Sequence, residues 1–159
     1  MPRVFISYSQ DSDEHKQRVL ELTEALRSDG VEAIVDQYVT APSQGWARWM
    51  ADELKAAQFV LVVASEAYRK KAEGEVPTGA GRGVKWESHL TVQDIYDADA
   101  SNEKIIPILL DGIGDEAIPQ VLRAWTYYRW PANSKELLRR LYNKPKVVPT
   151  PLGVPKKFD

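Results

Sequence analysis

The stretch GRGVKWESHL, residues 81–90, sets one carboxylate among aromatic and aliphatic neighbours directly after a glycine-broken loop. With successive positions about 100° apart around a helix axis, Glu87 falls on the arc that runs from Leu90 through Val84 to Ile95. Asp94 and Asp97 lie further round, towards polar company. Unless it is simply poorly placed, a carboxylate on an apolar face is either paired, with Lys85 and Arg82 in reach, or placed to act on a ligand. In that second role it can hold hydroxyl groups and stabilise positive charge that develops as a bond breaks.

Other chemistries lack their residues. The chain has no cysteine, which removes disulfides, thiol nucleophiles and cysteine-bound zinc. His15 lies near a helix start in a charged run and His89 stands two positions beyond Glu87. Neither has metal-ligand spacing such as His-Glu-x-x-His, so each reads as a solvated or core-satisfied imidazole. No nucleophile elbow supports a Ser-His-Asp hydrolase. Gly79, Gly81 and Gly83 would allow close backbone approach to a phosphate, but the stretch KAEGEVPTGAGRG lacks the Gly-Lys-Ser/Thr ending of a P-loop and reads more simply as a long loop. Trp46 and Trp49 follow a loop bearing proline and glycine. They either stack on a nucleotide or, as large aromatics at helical spacing, pack in the core.

Four apolar runs are read as strands: VFISYS at 4–9, VEAIVD at 31–36, FVLVVAS at 59–65 and KIIPILLD at 104–111. A weaker run, WTYYRW at 125–130, precedes a last helix over 134–143. Helices are expected at 13–28, where Val19, Leu22 and Leu26 share a face between a cap at Asp11 or Ser12 and Gly30. Two more are expected at 46–57, with Trp46, Met50 and Leu54 on one face, and at 84–96. Near-continuous apolar strands alternating with helices indicate a parallel sheet covered on both faces, a doubly wound α/β domain. Ligands of such sheets bind outside the carboxyl ends of the strands. That rule nominates Ser7, Tyr8 and Ser9 after the first strand, Asp36 after the second and Ser65 after the third. Beyond residue 144, Pro145, Pro149, Pro151 and Pro155 forbid a continuing helix, so 145–159 is expected to be a linker or a strap.

The 159 residues suit one domain with a core of its own. With 43% hydrophobic and 28% charged residues the composition argues against disorder, and the net charge of −2 supplies no attraction for nucleic acid or an anionic membrane. MPRVFISYSQ has no signal-peptide pattern, and FVLVVA is far short of the roughly 20 residues that span a bilayer. A soluble, cytoplasmic protein is the expectation.

Taken together, VFISYSQDSDEHKQRVLELTEALRSDGVEAIVDQY, ADELKAAQFVLVVASEAYRKKAEGE, and GRGVKWESHLTVQDIY followed by KIIPILLDG resemble a prokaryotic SEFIR domain, a branch of the superfamily that includes Toll/interleukin-1 receptor (TIR) domains. The resemblance runs from Pro2 to about Lys144, giving a domain at 1–144 and a proline-rich segment at 145–159. It implies a flavodoxin-like three-layer sandwich around a five-stranded parallel sheet. It implies two jobs as well. Many prokaryotic TIR-like domains cleave the nicotinamide–ribose bond of NAD, often as effectors of antiphage defence, whereas many animal relatives only assemble through homotypic contacts. Glu87 matches the glutamate essential to the enzymatic branch, although a Trp-Cys pair often precedes that residue in TIR domains and here Lys85 and Trp86 stand before it.

On that reading NAD or a related dinucleotide is the substrate, and no cofactor or metal is needed. The nicotinamide is already cationic in NAD, which lessens the need for a general acid, and a carboxylate aimed at the ribose stabilises the oxocarbenium-like transition state. Glu87 would be catalytic. Ser7, Tyr8 and Ser9 would shape the pocket, with Asp36, Trp46 and Ser65 lining it, or the triplet would simply turn the chain and cap the next helix. Other copies of the domain and a fused or neighbouring sensor domain are the expected protein partners. The alternative is a non-catalytic adaptor that recruits like domains through QYVTAPSQGW. A phosphorylatable receiver is disfavoured because the acidic run QDSDE already serves as a helix start.

Overall fold

The computed structural model describes residues 1–74 and 103–159. Five strands form one parallel sheet: β1 (Arg3–Ser7), β2 (Glu32–Ile34), β3 (Phe59–Val63), β4 (Ile105–Leu110) and β5 (Tyr128–Trp130), in the order β2-β1-β3-β4-β5. This is the flavodoxin-like strand order, with the switch in topology between β1 and β3. Helices α1 (Asp13–Ser28), α2 (Trp46–Ala56), α3 (Glu66–Ala72) and α4 (Ser134–Leu141) cover the two faces. The helix expected at 84–96 lies outside the described residues.

The period-two alternation of a strand divides the core. Val4, Ile6, Leu61, Val63, Ile106 and Ile108 point towards α1 and α4, meeting Val19, Leu22, Leu26, Leu137 and Leu141. Phe5, Val60, Val62, Ile105 and Leu109 point the other way, towards Trp49 and Met50 of α2 and Tyr68 and Ala72 of α3. Because the three central strands are covered on both sides, their sequences are apolar throughout.

Each strand is shorter than its apolar run. β2 pairs only with Arg3, Val4 and Phe5, so Asp36 falls beyond it, in a 3-10 turn over Asp36–Tyr38. β5 pairs only with Ile108, Leu109 and Leu110, which leaves Trp125 and Tyr127 outside the ladder, packed on the α2 and α3 face. On α2 the expected stripe is rotated. Trp49 and Met50 are buried and Trp46 and Leu54 only partly so, because Trp49 sets its ring edge-to-face against Phe5 at 5.8 Å between centroids.

Helix α1 begins and ends where its caps dictate. Ser12 accepts a hydrogen bond from the His15 backbone N–H at 3.1 Å, and the acidic Asp13 and Glu14 suit the positive end of the helix dipole. At its far end Gly30 takes φ +86°, and a Cβ there would stand 2.7 Å from the Tyr142 hydroxyl oxygen. That hydroxyl donates to the Asp29 carbonyl at 2.7 Å, joining the end of α4 to the end of α1. Residues 147–159 form no helix or strand and are exposed, Leu152 fully.

Two outcomes follow. Gly30→Ala combines a left-handed backbone with a displaced tyrosine and lowers stability by roughly 1–3 kcal/mol, read by urea titration. Deleting residues 147–159 leaves the urea midpoint unchanged, since their removal uncovers no core.

Candidate functional site

The carboxyl ends of β1, β2 and β3 gather most of the residues nominated from sequence, and the pleat sorts them into two groups. Tyr8 continues the alternation of Val4 and Ile6 and enters the α1 side of the sheet, wholly buried. There its hydroxyl donates to Asp36 Oδ1 at 2.6 Å. Ser7 and Ser9, also without exposed surface, reach α3 instead. Ser7 Oγ shares a 2.8 Å hydrogen bond with the Tyr68 hydroxyl, and Lys71 Nζ donates to Ser9 Oγ at 2.9 Å. Ser65 caps α3 by accepting from the Tyr68 backbone N–H at 3.1 Å. The three serines therefore hold α3 to the sheet, and the triplet 7–9 does not line one continuous wall.

Asp36 is the chemical centre of the other group. Its carboxylate is nearly buried, with 5% of the residue exposed. Besides Tyr8 it accepts from Gln10 Nε2 at 3.1 Å and from the Gln37 backbone N–H. Burial raises its pKa above the usual carboxylate range, the three hydrogen bonds and the nearby Lys16 cation opposing the shift. Burial also drives the Tyr8 phenol far above its ordinary value, reinforced by the adjacent carboxylate, so Tyr8 remains a donor.

Beside this pair opens a cleft of about 420 Å³ walled by Gln10, Lys16, Asp36, Thr40 and Trp46 among others. It carries an acceptor, a cation, an amide and the indole of Trp46, which leans edge-to-face on Trp49 at 5.7 Å. Such a set can hold a polar, partly aromatic ligand with both hydroxyls and negative charge. Asp36 and Trp46 thus share one wall, and Glu87 lies outside the described residues. His15 is buried rather than solvated: its ring tilts against Tyr8 at 6.3 Å. Among the described residues its Nε2 has no hydrogen-bond partner; it stands 3.9 Å from the Asp11 carboxylate, while burial lowers its pKa despite that charge.

Residues 2–141 match the family model of the SEFIR domain. The chain belongs to the SEFIR family. Among solved structures it is similar to a crystal structure of a prokaryotic SEFIR domain, at 30% identity and a TM-score of 0.69, covering 96% of this chain and 100% of that one. The five-stranded parallel sheet is the fold that the sequence resemblance implied. Among the described residues of this SEFIR domain no group of three or more His, Asp or Glu could hold a metal ion, and no helix is long and apolar enough to cross a membrane.

Sequence reasoning missed Gln10, Lys16, Tyr68 and Lys71. A signal for two of them was present, since Ser65, Tyr68 and Lys71 recur every third position and so share one face of α3. Gln10 and Lys16 carry no such signal, because only tertiary packing brings them to Asp36.

Because the folded-state pKa of Asp36 is raised, the stability linked to it is present in acid and is lost as the pH rises through that folded value. Asp36→Asn keeps an acceptor for Tyr8 and cannot ionise. It is therefore more heat-stable than the parent at pH 7, and the difference shrinks as the pH falls towards 4, measured by thermal unfolding across a pH series.

Proposed function

We propose that this SEFIR domain is an NAD glycohydrolase, active when copies of it associate and serving as the effector of a prokaryotic defence or signalling protein. The cleft beside Asp36 carries this reading. It sits outside the carboxyl ends of the strands, where α/β sheets of this kind bind nucleotides, and pairs an indole with a hydroxyl acceptor and a cation. Trp46 offers a face to a base, Asp36 accepts from ribose, and Lys16 meets the pyrophosphate.

Glu87 supplies the chemistry. Its carboxylate accepts hydrogen bonds from the nicotinamide ribose and stabilises the positive charge that spreads over C1′ and the ring oxygen as the C1′–N bond lengthens. The bonding pair leaves with nicotinamide, which is thereby neutralised and needs no acid catalyst. Water then adds to C1′ and loses a proton, giving ADP-ribose. Association favours activity because the site is completed between neighbouring copies.

A second reading is favoured by a different observation. Ser7, Ser9 and Ser65 all spend their hydroxyls on α3, as they would in a scaffold whose work is homotypic recruitment. The exposed loop ahead of α2, from Thr40 to Gly45, would then be the contact.

The test is nicotinamide release from NAD, followed by chromatography on concentrated protein with a crowding agent. Wild type releases nicotinamide, and Glu87→Ala, equally folded by circular dichroism, loses at least about 100-fold in rate. Absence of release from wild type that light scattering shows to be assembled would remove the glycohydrolase reading and leave the adaptor.

A further inference from the structure

The hydrogen bonding around Asp36 has more to say about the ligand than that it contains ribose. A carboxylate offers about four acceptor positions. Among the described residues three are taken, by the Tyr8 hydroxyl at 2.6 Å, by Gln10 Nε2 at 3.1 Å and by the Gln37 backbone N–H. Among those residues one position is left, on a carboxylate that helps to form the wall of the cleft. It suits a single hydroxyl proton.

We propose that Asp36 selects dinucleotides whose adenosine ribose bears a free 2′-hydroxyl and rejects those bearing a 2′-phosphate, so that NAD is accepted and NADP is not. The assignment rests on the glycohydrolase reading and names the substrate class of the same site. A hydroxyl donates to the remaining acceptor. A phosphate cannot, and it brings negative charge against a carboxylate that is shielded from solvent, where repulsion is weakly screened. Asp36 cannot readily turn aside, since the Tyr8 that holds it is wholly buried. Lys16 is the one cation among the described wall residues, and the pyrophosphate common to both dinucleotides takes it. Among the described residues of that wall no second positive group is left for a 2′-phosphate.

Binding and turnover are measured separately. In isothermal titration calorimetry, wild type binds ADP-ribose at least about tenfold more tightly than 2′-phospho-ADP-ribose, and Asp36→Asn narrows that ratio to less than about threefold. In the nicotinamide assay, kcat/KM for NAD exceeds that for NADP by a similar factor. Equal or tighter binding of the 2′-phosphate, or equal cleavage of both dinucleotides, overturns the role of Asp36 while leaving the glycohydrolase reading in place. Selective binding without cleavage removes the glycohydrolase and keeps the selection. Binding of neither ligand and cleavage of neither dinucleotide overturn both. Should Asp36→Asn fail to fold, the wild-type ratios decide alone.

Discussion

The hydrogen bond from Tyr8 to Asp36 is the contact on which the carboxyl end of this sheet depends. Both partners are buried, and neither can be so without the other: an unpaired phenol loses its hydrogen bonds to water, and an unpaired carboxylate loses its solvation. Once Tyr8 is committed to the α1 side, the pleat commits Ser7 and Ser9 to the opposite side. There Tyr68 and Lys71 receive them. One donor and one acceptor therefore set which face each residue of the turn serves, and with it the separation between a wall that faces a ligand and a latch that holds a helix.

The two ends of the sheet handle charge differently. At the amino end Arg3 bridges Glu32 and Glu53 at 2.8 and 2.9 Å, with side chains still partly in water, an arrangement that contributes little to stability. At the carboxyl end Asp36 is held out of water with its ionised form disfavoured. Between them lies an apolar centre in which Phe5, Leu61, Val62, Ile106 and Ile108 expose nothing. The centre carries the stability. The carboxyl end tolerates a poorly solvated charge, which is where a protein that handles a ligand would place one.

Much of this was legible in the residues. The apolar runs revealed the central strands because both faces of them are covered, and α1 was readable to its ends because Ser12 and Gly30 are local signals. The ends of the strands were not legible, since they are set by partners: β2 stops where Phe5 stops offering it a register. On α2 Met50 is buried as read, but Trp49 takes the place expected for Trp46, because the two tryptophans look alike until Phe5 is there to choose. Asp36 and Trp46 were nominated by strand ends and residue type, and they meet at one cleft. Ser7, Tyr8 and Ser9 were treated as a unit although period-two alternation separates them. Gln10 and Lys16 depend on contacts that no local pattern announces.

The Tyr142 to Asp29 contact bears on how the molecule can be handled. Helix α1 runs back from the end of β1 to the start of β2, so its last residue lies at the amino edge of the sheet, and Tyr142 brings the end of α4 to that same edge. Arg3, at the opening of β1, is there as well. Both termini of the described domain therefore leave from the pole opposite the Asp36 cleft. A bead, a fluorophore or a further folded unit joined next to Arg3 or directly after Tyr142 is attached at that pole, away from the cleft.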